Sequence, residues 1–174
     1  YNNIKNLIAI ETIEAATPGT PTRYGYVNVD SAMTRGIESS LRMKQKDILD
    51  FQISYTLTDT EDLKLERRLE GNPTHMGTAQ LKGGLKSWGF HGLARAGYMG
   101  SRVFYTDTNA DGVDETITSE PFVTLDLRLG QKIGYSGELF IGVDNLLNAG
   151  DAIYVTIPPR LFYGGITGRI AIRS

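Results

Sequence analysis

The sequence contains no cysteine and only two histidines, His75 and His91. Without thiols there is no disulfide scaffold, no thiolate zinc centre and no cysteine nucleophile. Two isolated histidines, with no Glu-x-x-His pair, do not assemble a zinc hydrolase. Phosphate-cradling Gly-rich loops and dinucleotide fingerprints are also missing. Gly134-Tyr135-Ser136-Gly137 lacks the Gly-x-Ser-x-Gly spacing of a nucleophile elbow. The neighbouring acids Asp59, Glu61 and Asp62 read as solvated charge. No catalytic residue is therefore assigned, and the chain is expected not to be an enzyme. An excess of positive charge is lacking too: 18 Lys and Arg face 20 Asp and Glu, for a formal net charge of -2. That excludes the basic face with which a nucleic-acid binder displaces counterions. No run approaches the roughly 20 apolar residues of a membrane-spanning helix. A closed β-barrel, the other spanning solution, alternates apolar and polar residues and is compatible with the mean hydropathy of -0.22. The chain starts at Tyr1 with no basic or apolar leader, so any export signal is expected to lie outside it.

What the sequence does contain is a period of two. Leu49, Phe51, Ile53, Tyr55 and Leu57 alternate with Asp50, Gln52, Ser54 and Thr56. Val123, Leu125, Leu127 and Leu129 alternate with Thr124, Asp126 and Arg128, and Leu139, Ile141 and Val143 continue the pattern. Near the end, Phe162, Ile166, Ile170 and Ile172 share one parity with Gly164 and Gly168, leaving Thr167, Arg169 and Arg173 on the other. Weaker alternation runs through Ile4–Ile13, Ala32–Lys44, His75–Leu85 and Phe90–Phe104, for about eight strands in all. Only Asp62–Glu70 has a helix-compatible pattern, and it reads better as a charged loop. On the second face stand Asp50, Gln52, Lys82, Arg95, Asp126, Arg128, Glu138, Asp144 and Arg169, the expected inward side.

Connections alternate long and short. Glu14–Arg23, Thr58–Thr74, Thr106–Pro121 and Ala149–Pro159 are long, whereas 45–48, 86–89 and 131–136 are tight. An antiparallel meander sends successive connections to opposite ends, and an outer-membrane barrel keeps its external loops long and its periplasmic turns short. A soluble sandwich has no reason to sort its loops in this way. Tyr24, Tyr26, Trp88, Phe90, Phe104, Tyr105, Phe122 and Tyr163 cluster near strand ends, where a barrel places interfacial rings. The fold class is thus all-β, an antiparallel up-and-down transmembrane β-barrel.

Four segments then carry a family resemblance. Tyr26–Glu38, with Asn28 and Gly36-Ile37-Glu38, resembles the entry to a descending strand in the barrels of TonB-dependent outer-membrane receptors. Pro73-Thr74-His75 resembles the start of a later strand, and Asp144-Asn145-Leu146-Leu147-Asn148 a motif near the last external loop. Pro158-Pro159-Arg160-Leu161-Phe162-Tyr163 resembles the opening of the final strand. The resemblance implies that residues 1–174 are the C-terminal portion of such a barrel, about a third of a wall of about 22 strands. Nothing in the chain resembles the plug domain or the segment gripped by TonB. The family usually closes on a terminal aromatic, whereas this chain ends Ile172-Arg173-Ser174. The implied function is energy-coupled uptake of a scarce ligand, such as a ferric siderophore or other metal chelate, across the outer membrane of a Gram-negative bacterium. Implied partners are outer-membrane lipid, the chelate, and TonB through a region outside this chain. The competing reading is a self-contained eight-stranded barrel with a structural or adhesion role, which requires the first strand to pair with the last. A lipase-type barrel enzyme would need a Ser/His pair on adjacent outward positions, which is not seen.

One loop has ligand spacing. Asp107, Asn109 and Asp111 place oxygens at positions one, three and five, Gly112 permits a sharp turn, and the Val113 carbonyl falls at seven. Glu115 at nine stands in for the bidentate Glu at twelve of an EF-hand, where this chain has Thr118. Asp107, Asn109, Asp111, Val113 and Glu115 are thus candidate calcium ligands on an external loop, with a solvated Asx-rich turn as the alternative. No other cofactor is expected.

Overall fold

The computed structural model of the protein describes the backbone of residues 2–14 and 23–30 and, with side chains, residues 31–46, 48–134, 136–150 and 157–168. Its strands are β1 (Asn2–Glu14), β2 (Arg23–Gln45), β3 (Leu49–Asp62), β4 (Arg67–Arg68), β5 (His75–Leu85), β6 (Phe90–Met99), β7 (Val103–Thr106), β8 (Glu115–Thr118), β9 (Phe122–Ile133), β10 (Gly137–Asp144) and β11 (Leu161–Gly168). Nine of them form one sheet, eight in the order β1-β2-β3-β5-β6-β9-β10-β11 with β4 paired to β3, every pair antiparallel. The meander expected from the alternation is therefore present. Among the described residues no ladder joins β1 to β11, so the sheet they form is open. The self-contained barrel would need that pairing, which the described residues do not contain.

The register makes the sheet two-faced. Met43 stands opposite Phe51, Phe51 opposite Leu81, and Leu81 opposite Ala94. Ala94 pairs with Leu127 and Leu127 with Val143, so one apolar stripe crosses six strands. Ile37, Leu41, Ile53, Tyr55, Ile141, Phe162 and Ile166 extend this face, and all are exposed. On the opposite face Asp50 stands beside Lys82, Gln52 beside Gln80, Gln80 beside Arg95, and Arg95 beside Asp126. Of the residues expected to face inward, eight share this parity, and Arg169 lies outside the described residues.

Among the described residues only Ala32 and Val143 count as buried hydrophobics. A single-layer sheet has no core in the usual sense. Its apolar face needs hydrocarbon as solvent, and the alternating stretch Leu49–Leu57 in β3 has about the 9–11 residues that a tilted strand needs to cross a bilayer.

The short connections all lie at one end. Lys46 and Gly134 turn the chain in the left-handed region at φ 47° and 59°, and a 3-10 turn, Lys86–Trp88, ends on Gly89 at φ 66°. The exposed Trp88 and Phe90 give this rim its outward rings. Tyr163, expected among the girdle rings and placed near the loop end, instead shares the polar face.

Rings on the polar face lie flat over glycines of the neighbouring strand. A β-carbon at Gly130 would overlap the His91 imidazole, one at Gly142 the Tyr163 ring, and one at Gly165 would come within 2.9 Å of Phe140 Cζ. Arg128 completes the layer with its guanidinium 4.3 Å from the Phe140 centroid. Glycine normally weakens a strand, but here the ring of the next strand covers the bare backbone. We expect Gly142→Ala to displace Tyr163 and cost about 1–3 kcal/mol. The loss would be read as a lowered midpoint for heat modification of the folded protein on electrophoresis, and an unchanged midpoint would contradict the packing described.

Candidate functional site

The long connections gather at the other end of the sheet, and there the loops are built structures. The Phe90–Phe104 alternation suggests one continuous strand, yet the wall strand stops at Met99. Gly100 N–H donates to the His75 carbonyl at 2.8 Å, so close that a β-carbon at Gly100 would lie 2.8 Å from that oxygen. Arg102 N–H then donates to Ser119 Oγ, and β7 and β8 pair as a separate hairpin. The segment 106–121, expected as a loop, is thus the tip and return strand of this hairpin. The charged segment after β3 follows the loop reading. Asp62 Oδ1 accepts the N–H groups of Lys64 and Leu65, the chain turns, and Arg67 and Arg68 pair back onto Asp62 and Glu61.

These two loops hold each other. Gly71 N–H donates to the Val103 carbonyl at 3.0 Å, and Tyr105 N–H to Glu70 Oε1 at 2.7 Å. The Arg67 guanidinium lies 4.1 Å from the Tyr105 ring centroid and pairs with Asp114 Oδ2 at 3.2 Å. Below them Tyr55 Oη and His75 Nδ1 share a hydrogen bond of 2.6 Å, while Arg68 donates to Thr74 Oγ1. The Pro73-Thr74-His75 motif thereby anchors the loop to the wall.

The last loop is braced by Asn145, whose side chain is nearly buried. Its Nδ2 donates to the carbonyls of Ala149 (2.9 Å) and Pro158 (3.0 Å), and its Oδ1 accepts Ala149 N–H. Its own N–H reaches Asp126 Oδ1 on β9. Asn148 Oδ1 in turn accepts Arg160 N–H. Both asparagines adopt positive φ, 48° and 50°, a conformation that Asn tolerates better than most residues. The Asn145–Asn148 and Pro158–Arg160 motifs are therefore two halves of one clasp.

At the hairpin tip the structure brings Asp107, Asp111 and Glu115 together, with one carboxylate oxygen from each within 4.8 Å of the others. Asp107 accepts the N–H groups of Gly112 (2.7 Å) and Asp111 (3.1 Å). Asn109 Oδ1 accepts Asp111 N–H, and Asp111 Oδ1 accepts Val113 N–H. Thr108 donates to Glu115 Oε2 through both its N–H and its hydroxyl. All five residues expected as ligands thus belong to one turn, although Val113 contributes its N–H to the contacts described. Gly112 takes φ 86° and Ala110 φ 62°, the left-handed bends the sequence assigned to the glycine.

The N–H donors hold two carboxyls below their ordinary values. Asp107 is lowered chiefly by Gly112 N–H and then by the other turn amides, against an ordinary 3.8. Glu115 is lowered by the backbone and hydroxyl donors of Thr108, against 4.5. A folded-state value below the unfolded one means that these bonds stabilise the turn above the ordinary carboxylate range, and that the contribution is lost as pH falls through the lowered values. We expect amide hydrogens of Gly112 and Thr108, whose acceptors are the Asp107 and Glu115 carboxylates, to be protected from exchange at neutral pH and to lose that protection in acid. Protection that persists after both carboxyls titrate would contradict the account. For the clasp, Asn145→Ala leaves several polar groups unpaired at about 1–3 kcal/mol each. Proteolysis within the segment 146–160 of the intact protein should therefore accelerate, and an unchanged rate would contradict the brace.

Comparison with known proteins agrees with this geometry. Residues 1–146 match the family described as TonB dependent receptor-like, beta-barrel, and the chain belongs to that family. A mutant ferric enterobactin receptor of Pseudomonas aeruginosa superposes with TM-score 0.70 at 20% identity, over 95% of this chain and 27% of that one. The ferripyoverdine receptor of the outer membrane of Pseudomonas aeruginosa, bound to ferripyoverdine, gives TM-score 0.70 at 15% identity, over 94% of this chain and 23% of that one. A copper transporter gives TM-score 0.70 at 16% identity, over 94% and 26%. At such identities the likeness is one of fold. The chain spans about a quarter of the length of these structures. No curated protein matches the sequence.

Proposed function

We propose that residues 1–174 form the C-terminal portion of the barrel of a TonB-dependent receptor in the outer membrane of a Gram-negative bacterium, which takes up a scarce, bulky metal chelate such as a ferric siderophore. The observation that carries this reading is the two-faced, single-layer meander with its built loops at one end, in a chain of the TonB-dependent receptor-like barrel family. Ligands named for the similar structures, ferric enterobactin and ferripyoverdine among them, support the substrate class.

In this mechanism the wall takes lipid on its apolar face and presents charge and hydrogen-bonding groups to the lumen. The coupled loops 63–74 and 100–121, with the clasped loop 145–160, form part of the outer recognition surface. Residues 15–22, the remaining loop expected there, lie outside the described residues. Plug and TonB-contacting segment belong to other parts of the receptor, and this chain makes and breaks no covalent bond.

Uptake of a radiolabelled ferric siderophore by iron-starved cells tests the reading. Uptake should require both the receptor and TonB, and removal of the hairpin tip 107–114 should weaken ligand binding while leaving the folded barrel intact. Cells that lose the receptor yet take up every metal chelate offered as before would sink the proposal.

The same reading places a calcium ion in the hairpin tip, held by Asp107, Asn109, Asp111, the Val113 carbonyl and Glu115. Terbium, a luminescent substitute for calcium, should bind the intact receptor and lose that binding when Asp107→Asn and Asp111→Asn are combined. Equal terbium signal from the double variant would leave the tip a purely hydrogen-bonded turn.

A further inference from the structure

The β1–β2 hairpin stands taller than the strand beside it. β3 pairs with β2 along all 14 of its residues, and that ladder ends where Ala32 meets Asp62. Beyond Ala32 the β2 backbone continues to Arg23, paired on its other edge to β1 from Ile4 opposite Ala32 to Glu14 opposite Arg23. A tilted strand needs about 9–11 residues to cross a bilayer, so a ladder of 14 has already spanned it and the taller part stands in water.

The direction of the open edge follows from one hydrogen bond. Leu63 N–H donates to the Ser31 carbonyl at 3.1 Å, so Ser31 turns its backbone groups toward β3. Alternation along an antiparallel strand gives the same direction to Val29, Val27 and Gly25. Among the described residues no strand lies against these three on that side. β3 is diverted before it could reach them: Asp62 Oδ1 accepts the N–H groups of Lys64 and Leu65, and β4 then returns along the other edge of β3. Folded proteins usually blunt an open edge with lysine, proline or a bulge. Residues 24–30 contain neither lysine nor proline, and the register shift of the hairpin falls at its far end, between Thr12 and Glu14.

We infer that this edge of β2 is a strand-addition site, at which an extended segment of a polypeptide ligand from outside the cell pairs with Gly25, Val27 and Val29. The inference rests on the proposed function only in placing the loop end outside. The edge itself selects the occupant. Each of the three residues offers one N–H and one C=O, repeated every second residue or about 6.8 Å, and an extended polypeptide presents the matching acceptors and donors at the same repeat. Hydrocarbon offers neither. A second copy in the same membrane points its strands the same way, so two such edges could pair only in parallel, the weaker arrangement.

The intact purified receptor and a fluorescent peptide of alternating valine and threonine, with a terminal lysine for solubility, test this. In the receptor alone the amides of Gly25, Val27 and Val29 should exchange freely, while those of Tyr26 and Asn28, turned toward β1, are protected. The peptide should bind and slow exchange at 25, 27 and 29. Val27→Pro takes one N–H from the open edge, leaves the β1 ladder its donors, and should weaken binding about tenfold or more. Val27→Thr should bind as the parent does, with both variants checked for folding by heat modification. Three results would overturn the inference. One is a folded receptor that does not bind the peptide. Another is equal binding by Val27→Pro, or equal binding of the same peptide methylated on every backbone nitrogen. The third is protection of Gly25, Val27 and Val29 in the receptor alone, which would show the edge already covered by another part of the receptor or by a second copy. Peptide binding by a receptor that imports no metal chelate would refute the uptake reading and leave the strand site standing.

Discussion

The interaction on which everything else depends is the antiparallel backbone ladder. A sheet one layer thick, with only Ala32 and Val143 among its described residues as buried hydrophobics, cannot be held together by side chains packed between layers. Along each inner strand both edges are hydrogen-bonded to neighbours, which is what hydrocarbon demands of a backbone deprived of water. Where the ladder order ends, at β1 and β11, the same demand is met only by further strands. The wall-like architecture, the belt of exposed apolar residues and the need for a larger assembly are consequences of that one constraint.

From it follows a division of labour along the strands. Outward residues have only to be apolar, so Leu, Ile, Val and Phe interchange along the stripe from Met43 to Val143. Inward residues interact specifically: Arg42 with Asp50, Glu138 with His91 and Arg128, and rings laid over Gly130, Gly142 and Gly165. At the loop end the ladders give way to cross-linked loops, with Arg67, Glu70, Tyr105 and Asp114 joining two of them. At the turn end Lys44, Lys82, Lys86, Arg128 and Lys132, with Asp50 and Glu138, line a basin on the polar face. One end of the wall carries the long, cross-linked loops, and the other carries the tight turns.

The strands and their faces were legible because a half-lipid, half-water environment writes itself as a period of two. Leu49–Leu57 and Val123–Leu129 need no tertiary information to be read. The grouping of Asp107, Asp111 and Glu115 was legible for a similar reason, since its geometry is local to one turn. What escaped was set by register or by contacts distant in sequence. Alternation runs on past Met99, so nothing local marks the break where Gly100 crosses beneath His75. Tyr163 looks like a girdle residue until its pairing with Gly142 places it on the polar face. The partnership of Asn145 with Pro158 joins two motifs that sequence shows only as separate signatures. Likewise, the basin's lysines are scattered from Lys44 to Lys132, and only the sheet order brings them to one rim.

The central claim, a wall with lipid on one face and water on the other, is tested most directly by nitroxide scanning of positions 49–57 in the receptor reconstituted into bilayers. Accessibility to dissolved oxygen should peak at 49, 51, 53, 55 and 57, and accessibility to a water-soluble nickel complex at 50, 52, 54 and 56. Labels at 51 and 53 that are open to the nickel complex and shielded from oxygen would contradict the account.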